Sequence, residues 1–187
     1  MTNNKETYKN LIFQKIIAAL GIILFLGKLF AWKLTNSDAV FSDAMESVVN
    51  VISAFMGIYA LYLAAKPKDN DHPYGHGKVE FVTSGIEGAL ICIAGIMIVY
   101  EGANSLISGK ILHELDWGIA IVASTAIINY FLGYISIKKG EASNSLVLIS
   151  SGKHLQSDTL TTLGVVISLV LVYLTKIIWI DAAVALL

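Results

Sequence analysis

Five apolar runs, each long enough to cross a lipid bilayer, set what this chain can fold into. They occupy roughly residues 10–34, 38–65, 81–107, 117–137 and 144–175. A spanning helix needs ~20 residues. Inside lipid every backbone N–H and C=O must be satisfied within the segment, so runs of this kind fold as helices. A sixth run, 178–187, has ten residues and is too short to cross. The expected fold class is therefore an all-α membrane protein, a bundle of six transmembrane helices with the sixth truncated, filling residues 1–187 as one transmembrane domain. Only 14% of residues are charged, against ~25% in soluble domains. The net charge of −1 carries no nucleic-acid footprint. Cys92, the single cysteine, lies in the run LICIAGIMIVY and reads as packing, because a disulfide or thiolate cluster needs partners. The first apolar run exceeds a signal-peptide core and shows no cleavage site, so it reads as a first spanning helix.

Lysine placement suggests an orientation. All thirteen basic residues are lysines. With the N-terminus cytoplasmic, the inner segments carry Lys5, Lys9, Lys66, Lys68, Lys78, Lys138 and Lys139, and the outer loops carry Lys33, Lys110 and Lys176. That is the positive-inside bias, and it puts Trp32, Trp117 and Trp179 together at the outer boundary, where aromatic belts occur.

Polar residues inside the runs are the functional candidates, since ionisable groups at membrane depth are costly. Two pairs stand out. Glu46 and Asn50 lie in DAMESVVNVISAFMG, and His154 and Asp158 lie in SSGKHLQSDTLTTLG. Spacing of i, i+4 puts both members of a pair on one helix face. The second helix runs inward and the fifth outward. Glu46 and Asn50 then sit roughly 12–18 Å from the outer start, and His154 and Asp158 roughly 15–21 Å from the inner start. Both are near the middle of a ~30 Å core, so an antiparallel packing sets Glu46 beside Asp158 and Asn50 beside His154. Imidazole and carboxylate donors suit a tetrahedral divalent cation: zinc first, with Fe²⁺, Co²⁺ or Mn²⁺ as alternatives. Asn50 is the weak member, a neutral amide whose expected effect is lower affinity, a water completing the shell, or a preference for a larger or less zinc-like ion. Because a ligating His154 must be neutral, metal entry displaces protons. The competing reading is a buried polar network that only locks two helices.

The segment KPKDNDHPYGHGKVE joins the second and third runs. Asp69, His72 and His76 are potential ligands there, and a solvated polar loop is the plain alternative. This segment, with FAWKLTNSDAVFSDAMESVVN, FVTSGIEGALICIAG, SSGKHLQSDTLTTLGVVISL and WIDAAVALL, resembles the cation diffusion facilitators from about residue 25 onward. The resemblance implies a secondary transporter that exports divalent metal in exchange for protons, not an enzyme. The transport site would be formed by Glu46, Asn50, His154 and Asp158. It further implies a second, peripheral zinc-type site at Asp69, His72 and His76, and a dimer-interface charge contact at Lys78. It implies a multi-pass protein of the cell inner or plasma membrane, a homodimer, and a substrate drawn from Zn²⁺, Fe²⁺, Co²⁺, Mn²⁺ and Cd²⁺. The family's C-terminal cytosolic domain would be absent here. Family members commonly carry Asp or His at the position of Glu46 and Asp at that of Asn50. The alternative is a metal-binding sensor or scaffold that does not transport.

Other polar residues have simpler readings. Asp38 and Asp43, each preceded by serine, look like helix-capping groups at the start of the second helix. Glu80, Ser84 and Glu87 trace a stripe suited to interhelix bonding, Asn129 suits an interhelix hydrogen bond, and His113 reads as an exposed loop histidine. Lys153 projects about 100° away from His154 around the helix.

Overall fold

A computed structural model describes residues 4–64, 79–108, 111–143 and 145–185. Among these the regular secondary structure is all helix: α1 Asn4–Thr35, α2 Asp38–Ala64, α3 Val79–Ser108, α4 Leu115–Ser143, α5 Leu146–Thr175 and α6 Trp179–Ala185. Five of the helices are long and apolar enough to cross a membrane, through Ile12–Thr35, Asp38–Met56, Gly88–Ile107, Leu115–Ser143 and Leu148–Thr175. The protein is thus a multi-pass membrane protein, and α6 is a short helix of seven residues.

Local chemistry fixes the turns. The α1 helix ends where Asn36 takes a left-handed φ of 58° and its N–H bonds the Trp32 carbonyl at 2.8 Å, the stop that asparagine makes at low cost. Ser37 then caps α2, its Oγ accepting from the Val40 N–H at 3.1 Å. This corrects the capping expectation for Asp38 and Asp43. Asp38 opens the helix and Asp43 lies a full turn inside it. Lys176, at φ 61°, ends α5 with its N–H on the Val172 carbonyl.

The α1–α2 turn, the segment before α4 and the start of α6 meet at one end of the bundle. The His113 N–H donates to the Thr35 carbonyl at 3.0 Å, and the Asn36 amide donates to the Ile111 carbonyl at 3.2 Å. There Asp181 of α6 accepts from Ser37 Oγ and from the Asp38 N–H, both at 2.6 Å. Trp32, Trp117 and Trp179 all lie at this end. Trp117 and Trp179 are exposed, and Trp32 is half-buried against Phe41, with ring centroids 5.0 Å apart. His113 is exposed, as expected. At the far end Asn10 of α1 donates to Ser143 of α4 at 3.0 Å.

Ala31, Ala39, Val40, Val122, Val165 and Leu169 form a core drawn from α1, α2, α4 and α5. The most extensive packing is between α4 and α5. A methyl group on Gly152 would stand 2.7 Å from the Gly133 carbonyl oxygen, and one on Gly133 2.8 Å from that of Gly152. Small residues at such crossings let backbones approach in lipid, where no hydrophobic drive exists between helices. The α3 helix, by contrast, turns Ile91, Ile93, Ile96, Met97, Val99 and Tyr100 outward. That is the composition of a lipid-facing surface.

Candidate transport site

The antiparallel seam of α2 and α5 carries the four expected residues and brings three of them into direct contact. Asn50 Nδ2 donates to Asp158 Oδ2 at 2.8 Å, and His154 Nε2 lies 2.9 Å from Asn50 Oδ1. An amide oxygen only accepts, so in this pairing Nε2 carries a proton and donates. Asn50 is therefore the bridge of the site, holding the carboxylate with one end and the imidazole with the other. Asp158 is 6% exposed, and its Oδ1 is buried with no hydrogen-bond partner among the described residues. His154 stands at the exposed edge of the seam, with Lys153 exposed beside it.

Glu46 is half-buried. The Thr161 hydroxyl donates to the Asp158 backbone carbonyl at 2.9 Å and lies within hydrogen-bonding reach of the Glu46 carboxylate. The charges around Glu46 are Asp158, Asp43 and Lys28. Among the described residues no three His, Cys, Asp or Glu side chains converge closely enough to hold a metal ion together. The amide of Asn50 instead joins imidazole and carboxylate, one end bonded to each.

One turn along the seam is a cluster that the sequence reading missed. Lys28 of α1 donates to Asp43 Oδ1 at 2.8 Å and to Thr162 Oγ1 at 3.0 Å, and Thr162 Oγ1 donates to Asp43 Oδ1 at 2.8 Å. Lys28 and Asp43 are each 2% exposed. The available signal was a lysine in mid-span of the first apolar run, which membrane energetics marks as a functional candidate by itself.

Several expectations fall elsewhere. Asp69, His72, His76 and Lys78 lie outside the described residues, as do the side chains of Glu80, Ser84 and Glu87. Asn129 is buried on α4. Cys92 is exposed on α3 rather than packed inside.

Comparison with known proteins gives this geometry a context. Residues 15–187 match the family model for the cation efflux transmembrane domain. An uncharacterized transporter from Synechocystis is 37% identical over 170 residues, covering 91% of this chain and 53% of the relative. The manganese efflux system protein MneP of Bacillus subtilis is 29% identical over 151 residues, covering 81% and 50%. The magnetosome protein MamM of Magnetospirillum gryphiswaldense is 30% identical over 171 residues, covering 90% and 53%. The chain spans about half the length of the curated relatives it matches.

Proposed function

Because the chain belongs to the cation efflux family, we propose that its α2–α5 seam carries divalent transition-metal ions out of the cytoplasm through Glu46, Asn50, His154 and Asp158. The observation that supports this most is the Asn50 bridge: a residue of α2 ties the imidazole and carboxylate of α5 together, 2.9 and 2.8 Å away, within a span built to cross lipid. The bare Asp158 Oδ1 is a buried acceptor with nothing to accept, and a cation supplies what it lacks.

Manganese and zinc are the leading cargoes. Three oxygen donors and one imidazole form a set harder than a typical zinc site, and carboxylate and carbonyl oxygens suit Mn²⁺. The name of MneP specifies manganese for that relative. Zinc follows from a tetrahedral arrangement of the same donors. Proton exchange completes the reading, since His154 must shed any second proton before it ligates. The lysine distribution favours a cytoplasmic N-terminus, which sets the tryptophan-bearing end outside, in the plasma membrane. We further propose assembly as a homodimer.

The test is flux of Mn²⁺ and Zn²⁺ by the purified chain in proteoliposomes under an imposed pH gradient. His154→Ala or Asp158→Ala lowers flux by about 100-fold, the upper range for loss of a metal-supporting group, with helical content unchanged. Full flux in both variants overturns the site, and tight metal binding without any flux by the parent favours a sensor or scaffold instead.

A further inference from the structure

The cluster at Lys28 lies on the same seam as the candidate site. Asp43 shares the α2 face of Glu46 and Asn50, at spacings of i, i+3 and i+7, and Thr162 shares the α5 face of His154 and Asp158, at i, i+4 and i+8. The two faces meet at both levels: Asn50 with Asp158, and Asp43 with Thr162. Polar contact thus continues from the candidate site toward the end of the bundle where α2 begins.

Asp43 accepts both of its bonds, from Lys28 and Thr162, on Oδ1. Its Oδ2 is buried and has no hydrogen-bond partner among the described residues. A buried carboxylate is ordinarily satisfied at both oxygens. If the cluster served only to hold three helices together, neutral partners would do so at lower desolvation cost. A charged pair with one open carboxylate oxygen, a turn from Glu46, suits a group that changes partners.

We propose that Asp43 is a second cation-binding step on the transport path, and that Lys28 is a tethered cation that occupies Asp43 whenever the divalent ion is elsewhere. The proposal rests on the transport reading above and adds a step to it. A divalent ion passing along the seam takes the open Oδ2, and the ammonium shifts off the carboxylate while keeping Thr162 as its partner. Once the ion departs, the ammonium closes on Asp43 again. Being attached to α1, it competes at a high effective concentration, which prevents the divalent ion from lodging there. A compact charge on a flexible stem with rotatable donors suits this exchange better than a planar guanidinium.

Thermal unfolding of the purified chain, with and without Mn²⁺, tests the step. Lys28→Met melts below the parent without Mn²⁺. Mn²⁺ restores it, at a half-saturating concentration about tenfold below the parent's, because a fixed positive charge beside the ion has gone. Adding Asp43→Asn to Lys28→Met abolishes the extra Mn²⁺ effect. In flux assays Lys28→Met lowers both KM and kcat, as expected for an ion held too tightly. Equal Mn²⁺ shifts in parent and Lys28→Met, or an extra shift that survives Asp43→Asn, overturn the proposal and leave a purely structural ion pair. Should Lys28→Met not fold, Lys28→Gln keeps a donor for Asp43 and takes its place. Mn²⁺ rescue of Lys28→Met in a chain without flux supports the cation step while overturning the transport reading. Equal shifts with parental flux intact overturn the step alone.

Discussion

Asp43 and Asp158 are two buried carboxylates on one helix seam, and the protein satisfies them differently. Each leaves one oxygen without a hydrogen-bond partner among the described residues. Asp43 faces an ammonium 2.8 Å away and a threonine hydroxyl. Asp158 receives only the amide of Asn50 on its other oxygen, with no cation bonded to it among the described residues. A buried charge without a partner costs several kcal/mol. The fold meets that cost at Asp43 with its own cation. At Asp158 an ionised carboxylate would carry that cost without a bonded cation. Local rules are commonly broken at functional sites, and under the proposed function the under-compensated carboxylate is where cargo would bind.

The largest effect should come from removing the resident cation. Lys28→Ala leaves Asp43 charged, buried and unpaired, and we expect a loss of about 3–5 kcal/mol of stability, read by denaturant or thermal unfolding in detergent without metal. Asp43→Asn in the same background should recover most of it. Parental stability in Lys28→Ala would break the comparison, since Asp43 would then need its cation no more than Asp158 does.

Much of this contrast could be read from residue spacing, and part could not. The seam was legible because i, i+4 pairs on antiparallel helices of known length have only one way to meet at equal depth. Helix ends were less so: α1 begins at Asn4 rather than near residue 10, and α4 runs on to Ser143 past Lys138 and Lys139. Hydropathy marks the edge of lipid, whereas the hydrogen-bond ladder continues beyond it. Lys28 was hidden because an apolar run averages over a single lysine, and its partner Asp43 resembled a cap by its nearness to the helix start. Ser37 takes that role because its hydroxyl sits at the helix boundary itself. The close approach of Gly133 and Gly152 has no local signal, since it depends on which faces of α4 and α5 meet.

A middle-sized effect is expected at the bridge. Asn50→Asp removes the donor to Asp158 Oδ2 and sets a third carboxylate in the site, giving it the negative charge that Asp43 has offset by Lys28. We expect divalent binding to tighten by about tenfold, a typical scale for a change in a metal site's supporting groups, and the preference between Zn²⁺ and Mn²⁺ to shift toward Zn²⁺. Calorimetric titration with each ion measures both. Unchanged affinity and preference would mean that Asn50 does not meet the cargo, and the bare oxygen of Asp158 would lose its link to transport.

The smallest effect sharpens the comparison with a third buried carboxylate. Asp181 on α6 is 1% exposed. It is held by neutral donors, the Ser37 hydroxyl on one oxygen and the Asp38 N–H on the other, each at 2.6 Å, with the Ala39 N–H also donating to it. Ser37 also accepts from the Val40 N–H, so one hydroxyl both caps α2 and fastens α6 to it. Ser37→Ala should cost about 1–2 kcal/mol, the range for a lost cap and a lost hydrogen bond to a charged group. Mn²⁺ affinity should be unaffected, because Asp181 lies off the α2–α5 seam. Asp181 keeps its amide donors in this variant, whereas Asp43 in Lys28→Ala keeps only a hydroxyl. A Ser37→Ala cost equal to that of Lys28→Ala would show that neutral hydrogen bonds hold a buried carboxylate here as well as an ammonium does. The cation beside Asp43 would then no longer distinguish it from Asp158.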